Sequence, residues 1–271
     1  MQANQLTCKV ASIGTWNGFF EDWTALQALL NGSPMPEDKQ KSPKPGIIPA
    51  NERRRAPLPV KLAIESSMQA TLNQQIDPKT LTCVFVSGLG DTDLTDYMCK
   101  VLASDNKELS PTKFHNSVHN AAAGYWTIST ETMSAANSIA GYQESVSLAL
   151  FEAMVQCQSE NVPILVTFYD APVSQVLQPL LHNQEAFAFS LVLYPTSSPT
   201  PGQIVTARVE TTQRADWPSL KVDNEYLHSL YQSNPTARVL CLAELLNNPS
   251  LFDGCLTMPL SDSTTLSIQI K

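Results

Sequence analysis

Two nearly unbroken apolar runs, LTCVFVSG at 81–88 and PILVTFY at 163–169, are separated by a long amphipathic segment. A strand with alternating polarity buries one face, whereas a run that is apolar at successive positions buries both and needs helices above and below it. The intervening segment supplies one such helix. Val146, Ala149, Leu150, Ala153, Met154 and Cys157 recur at helical spacing, with Glu144 in the first turn, where the helix dipole favours an anion. The rest of the chain must therefore fit around a doubly covered sheet.

Upstream, CKVASIG (8–14) is expected to be a short buried strand, and EDWTALQALLNG carries apolar residues at 23, 26, 29 and 30, a helix that Gly32 stops. A second helix is expected from Asn51, carrying Leu58, Leu62, Ile64, Met68 and Leu72 to the turn at Asp77-Pro78. SGLGDTD reads as a tight turn into a helix over 91–104, followed by the polar loop SDNKELSPTKFHNSVHN and the small-residue segment AAAGYWTI. After a helix around 172–182, EAFAFSLVLYP (185–195) and QIVTARVET (203–211) predict an antiparallel hairpin across a Pro-rich turn. The last sixty residues hold a helix near 223–232, a strand-like ARVLCLAELL and a weakly patterned tail. The expected organisation is a main domain over 1–211 and a short C-terminal extension over 212–271.

At 271 residues the chain buries a full core without a staple. Its six cysteines, at 8, 83, 99, 157, 241 and 255, contain no CxxC pair and are expected to be buried thiols of a reducing cytoplasm. The net charge of -8 argues against a nucleic-acid partner, since Arg53, Arg54 and Arg55 form the one basic run. No stretch approaches the ~18 apolar residues of a membrane span, and MQANQLTCKV lacks the basic and apolar regions of a secretory leader. His115 and His119 have the spacing of metal ligands on a helix, but no third ligand follows, and Pro111 disfavours a helix there, so no metal is expected. SGLGDTD lacks the third glycine of a dinucleotide fingerprint, and Asp91 would repel a pyrophosphate.

Several stretches resemble one family in the same order. VASIG followed by EDWTALQALLNG looks like the first strand and helix of the β-ketoacyl synthases, and IPANERRRAPLPVKLAIESSMQATL is similar to their arginine-containing helix. VFVSGLGDTD resembles their next strand and glycine turn, NAAAGYWTI the segment ahead of their nucleophile, and EAFAFSLVLYP with QIVTARVET the hairpin that closes their N-terminal half. The resemblance spans about residues 8–211. It implies an α/β, thiolase-like fold, a mixed sheet with helices on both faces, essentially the N-terminal half of a ketosynthase.

In that family a cysteine sits at the mouth of a buried helix, where backbone N–H groups and the helix dipole generate thiolate. Gapless spacing, forward from Gly124 and back from PILVTFY, places Gln143 there. An amide has no ionisable proton and forms no acyl thioester. The family's second half supplies two catalytic histidines and is expected to be missing from a chain of this length. Only His182 and His228 follow Gln143, and neither lies in a family-like motif.

Glutamine at this position is what the chain length factors of type II polyketide synthases look like. The phrase FHNSVHNAAAGYWTI and the short form most resemble the synthase-like proteins of bacterial aryl polyene clusters. The resemblance implies a subunit without catalysis of its own that pairs with an active β-ketoacyl–acyl carrier protein synthase and shapes its acyl tunnel. No cofactor is implied for this chain, and the substrates ride on the phosphopantetheine of an acyl carrier protein that is met mainly through the partner. The resemblance sets Phe114, Asn116, His119 and Asn120 near the interface and tunnel, and Met133, Ile139 and Tyr142 beside Gln143 as lining or gate. It also turns Arg53, Arg54 and Arg55 toward the carrier protein. Two rivals stay open: a small malonyl decarboxylase or acyltransferase that uses Gln143, and a purely structural scaffold.

Overall fold

The computed structural model describes residues 5–211 and 215–270. Its eight strands are β1 (Gln5–Asn17), β2 (Thr82–Val86), β3 (Ala136–Ile139), β4 (Ile164–Asp170), β5 (Phe187–Pro195), β6 (Gln203–Thr211), β7 (Cys255–Ser261) and β8 (Thr264–Ile270). The helices are α1 (Trp23–Leu30), α2 (Ala50–Arg53), α3 (Leu58–Ala70), α4 (Thr92–Ala103), α5 (Pro111–His115), α6 (Ala121–Thr130), α7 (Ser145–Ser159), α8 (Gln178–Leu181), α9 (Glu225–Ser233) and α10 (Leu240–Asn247). The strands form one mixed sheet in the order β3-β2-β4-β5-β1-β6-β8-β7, with β2 parallel to both β3 and β4 and the other pairs antiparallel.

β2 and β4 are buried at every residue, as their unbroken apolar character requires. Helices cover both faces. On one, α7 packs on β1, β2, β4 and β5 through Val146, Ala149, Leu150, Ala153, Met154 and Cys157, all buried. On the other, α3 packs on β1, β4, β5 and α6. This second contact is close because Gly14 has no side chain: a Cβ there would stand 2.1 Å from the Ser66 carbonyl oxygen and 2.7 Å from the Ala70 nitrogen. Buried hydroxyls fill the space beside it, Ser67 to Thr167 at 2.8 Å, Thr167 to Ser190 at 2.9 Å and Ser190 to Ser66 at 2.8 Å, so each of these hydroxyls finds a partner.

α1 begins at an Asp22 cap, whose carboxylate accepts from the Ala25 nitrogen, and ends at Gly32, whose φ is +89. The turn SGLGDTD leads into α4 through an Asp91 cap on the Leu94 nitrogen.

Other expectations are corrected. β5 and β6 are not a hairpin, because β1 lies between them and Lys9 pairs with Tyr194 on one side and Ile204 on the other. The proline-rich connection at 195–201 crosses two inter-strand spacings, ~9.5 Å, instead of making a tight turn. The helix expected from Asn51 is split into α2 and α3, since Pro57 lacks the N–H to continue it and caps α3 instead. Of the helix around 172–182, only α8 forms, within a loop closed by Val173 N–H to the Asn183 carbonyl. The loop at 104–120 contains the short helix α5, started by Ser110. ARVLCLAELL is a helix and not a strand: Asn234 accepts from the Thr236 and Ala237 nitrogens and launches α10, which is buried at nearly every position. The weakly patterned tail is a hairpin of β7 and β8 that extends the same sheet from β6, and Leu256, Met258, Leu266 and Ile268 join the α7-side core. β3 carried no signal in the sequence. Of the six cysteines, Cys8, Cys83, Cys157 and Cys241 are buried, Cys255 is half-buried and Cys99 is exposed.

Candidate functional site

The C-terminal ends of β2 and β4 meet the N-terminal mouth of α7, the place where open α/β sheets present a crevice. The chain leaves β2 through Ser87, and Gly90 (φ +67) turns it toward α4. Asp170, the last residue of β4, is fully buried and holds this turn. One carboxylate oxygen accepts from the Ser87 hydroxyl at 2.6 Å and the Leu89 nitrogen at 3.0 Å, and the other accepts from the Gly88 nitrogen at 3.2 Å. The Ser87 hydroxyl in turn accepts from the Gly90 nitrogen at 2.8 Å. Burial pushes the Asp170 carboxyl up to about 6, against the opposing pull of these donors and the Thr236 hydroxyl.

Gln143 stands in the single turn Tyr142–Glu144 that opens α7. Tyr142 has a φ of 46, a left-handed backbone that a side chain rarely adopts. Two contacts hold the turn. The Gly141 nitrogen donates to the Ser145 hydroxyl at 3.0 Å, and Gly88 lies under the Tyr142 carbonyl so closely that a Cβ on Gly88 would be 3.0 Å from it and 2.8 Å from Pro235. Gln143 is half-buried, and its amide makes no hydrogen bond to another described residue.

No cysteine replaces it at this mouth. Cys157 lies in the last turn of α7, ~21 Å along the axis from residue 143 at 1.5 Å per residue, buried against Cys8 on β1. Burial pushes the thiols of Cys83 and Cys241 up to about 12, so both stay protonated. His228 points its Nε2 at the Val222 carbonyl, 2.8 Å away. Among the described residues no group of three His, Cys, Asp or Glu side chains could hold a metal ion.

A sequence model of the β-ketoacyl synthase N-terminal domain matches residues 23–243. The chain belongs to that family. Solved structures agree on the fold. A chain from a ketosynthase in complex with its chain length factor, from Xenorhabdus doucetiae, superposes with a TM-score of 0.70 at 16% identity, over 97% of this chain and 99% of that one. A chain of the ishigamide ketosynthase/chain length factor gives 0.67 at 12%, over 99% of each. A chain from a type II polyketide synthase acyl carrier protein in complex with its ketosynthase bound to the hexaketide gives 0.68 at 12%, over 98% and 99%. No curated protein matches the sequence.

Within this β-ketoacyl synthase domain the residues singled out in the sequence fall into separate places. Met133 is 98% exposed in the turn before β3, and Ile139 is half-buried at the end of that strand, which pairs with β2 on one side and forms the sheet edge on the other. Tyr142 is exposed beside Gln143. Phe114 and Asn120 line an open groove of ≈ 750 Å³ between α5 and α6, together with Arg55, Val118, Tyr125 and Ile128. Asn116 is buried, its side-chain oxygen accepting from the Tyr125 hydroxyl at 3.4 Å, and it opens with His119 on a separate, smaller cavity. Arg53 donates to the Pro45 carbonyl at 3.0 Å, and Arg54 binds the Asn51 side chain.

Sequence reasoning missed Asp170. Its signal is a carboxylate adjoining a run buried at every position, which requires donors nearby. No described helix is long and apolar enough to cross a membrane.

Proposed function

We propose that this chain is a chain-length-factor subunit without catalysis of its own, which pairs with an active β-ketoacyl–acyl carrier protein synthase and walls its acyl tunnel. The observation that carries this reading is Gln143 at the mouth of the buried helix α7. A condensing enzyme needs an ionisable sulfur at that place, and a glutamine amide cannot accept an acyl group. The structures this chain resembles include two in which a ketosynthase is found with its chain length factor.

The surface suits such pairing. Among the described residues β3 is an end strand of the sheet, and α6 packs against it; exposed Ile128 (76%) lines the groove with Phe114 (59%), and Met133 (98%) is exposed in the turn between α6 and β3. A free sheet edge flanked by apolar side chains is a template for another chain. Once covered, the ≈ 750 Å³ groove is within the ~300–1,000 Å³ of ligand sites. Its bulk then sets how far a growing chain extends before meeting a wall. Met133, Ile139, Tyr142, Phe114 and Asn120 are the residues we assign to interface and tunnel, with Asn116 and His119 behind them. Arg55 opens on the groove and, with Arg53 and Arg54, faces the carrier protein, whose phosphopantetheine bears the substrates.

Co-expression with an intact β-ketoacyl synthase, followed by sizing and product analysis, tests the assignment. A stable heterodimer whose product lengths shift when Phe114→Trp or Met133→Trp is introduced supports it. Unchanged lengths from an assembled complex would instead indicate a scaffold. Carbon dioxide release from malonyl carrier protein by the purified chain alone would indicate a decarboxylase.

A further inference from the structure

β1 is longer than the strand that covers it on one side. β5 pairs with it over residues 8–17, with a bulge between Val10 and Ser12, but β6 pairs with it only over residues 5–10. The backbone N–H and C=O groups of alternate residues point to the same edge of a strand. Thr15 shows which edge is left open. Its N–H turns away from β5 to the Gln69 side-chain oxygen, 3.1 Å away, and the Gln69 amide nitrogen donates onward to the Glu21 carbonyl at 2.7 Å. A side-chain amide thus stands where the next strand would be. Ile13, two residues before Thr15, turns its N–H and C=O to the same edge, beyond the last residue that β6 covers. There the edge opens on a cleft of ≈ 450 Å³ between α1, the turn after α3 and the start of β6. Its wall holds the side-chain amides of Gln27, Gln69, Asn73, Gln74 and Gln203, beside the Trp23 ring. Asp22 is the one ionisable group among the described residues that line it, and one of its oxygens already caps α1.

We propose that this cleft binds a short extended peptide of neutral sequence, which adds to the free edge of β1 as a strand opposite Ile13. The chemistry of the lining selects it. A cleft without a cation offers no charge partner to a carboxylate or a phosphate. Side-chain amides beside a free backbone edge both donate and accept, and a peptide backbone does the same. Gln69 shows that the edge takes an amide, because it satisfies Thr15 in the place of a strand. At ~3.4 Å per residue, three residues of an added strand span ~10 Å, and in antiparallel pairing one of them exchanges both bonds with Ile13. Strand addition draws its affinity from main-chain bonds, so the recognition tolerates a range of side chains.

Amide hydrogen exchange of the purified chain, read by NMR, tests the site. In the free protein the Ile13 N–H should exchange at least about tenfold faster than that of Gly14, which faces β5. Acetyl-Thr-Val-Thr-Val-Thr-amide at about ten times its Kd should slow Ile13 about tenfold, since exchange follows the unbound fraction, and should leave Gly14 unchanged. The same peptide N-methylated at its three central residues lacks the donors and should give no protection. Thr24→Trp, at the exposed rim of the cleft, should abolish the protection without altering the circular dichroism. The proposal is overturned if Ile13 is already as slow as Gly14 in the free chain, or if millimolar peptide leaves it fast. Equal protection by the methylated peptide, or by maltose as a neutral polyhydroxyl probe, overturns it as well, whether or not the variant folds.

Discussion

Asp170 makes the pH dependence of stability a direct report on the turn beneath Gln143. Its carboxyl is lifted by burial from 3.8 to about 6 in the folded protein. A group whose folded value is raised binds its proton more tightly in the native state. Its contribution is therefore complete below about pH 4 and is lost as the pH rises through about 6. At ~1.4 kcal/mol per pH unit, the loss is about 3 kcal/mol. Asp170→Asn removes the ionisation and keeps the shape, so Oδ1 still accepts from Ser87 and Leu89, while the amide nitrogen now faces the Gly88 N–H. That mismatch costs about 1–3 kcal/mol at every pH. Urea unfolding of both proteins from pH 4 to 7.5 should give a difference in stability that favours the unmodified chain at pH 4 and shrinks by about 3 kcal/mol by pH 7. A difference that is flat across this range would refute the reasoning. One that grows with pH would mean that the three donors outweigh burial.

Gly14→Ala pushes a Cβ onto the backbone of α3, 2.1 Å from the Ser66 oxygen, and should cost about 3 kcal/mol or more, read as a fall in Tm. Met154→Ala empties a fully packed position under the sheet and should cost about 2–5 kcal/mol in the same assay. Ile128→Asp should reduce self-association of the isolated chain in sedimentation velocity without changing its circular dichroism, because Ile128 is exposed and supports no core. Gln143→Cys should place a thiol whose pKa falls below the usual ~8.5 under the helix dipole. Iodoacetamide alkylation against pH, with exposed Cys99 as the internal reference, would show a value no lower than that of Cys99 if the helix mouth has no such influence.

The elements that were legible in the sequence are those whose pattern is decided locally. β2, β4 and α7 declare themselves because every residue of the strands is buried and one stripe of the helix is. Pairing is another matter. β5 and β6 have the composition of a hairpin, yet β1 lies between them, and nothing within 185–211 encodes a partner more than 150 residues upstream. α10 reads as a strand in the sequence because a segment buried on all sides loses its periodicity, whichever element it forms. The Asn-Pro-Thr-Ala start at 234–237 was the available signal for a helix. β7 hid behind Pro259, which an edge strand tolerates and a central one does not.

The site divides along the same line. The family's spacing, carried over without gaps from Gly124 and from PILVTFY, sets Gln143 at the mouth of α7, since counting along one helix and one strand involves only neighbouring elements. What supports that mouth comes from three distant parts of the chain: the turn after β2, the carboxylate that ends β4, and Pro235 ahead of α10. Asp170 fixes the turn, the turn's Gly88 seats the carbonyl of Tyr142, and Tyr142 keeps the left-handed backbone that delivers residue 143 to the helix start. None of these contacts involves the side chain of Gln143. The frame is thus indifferent to what residue 143 carries, which is why an amide can stand there without disturbing the fold or the shape of the surrounding wall.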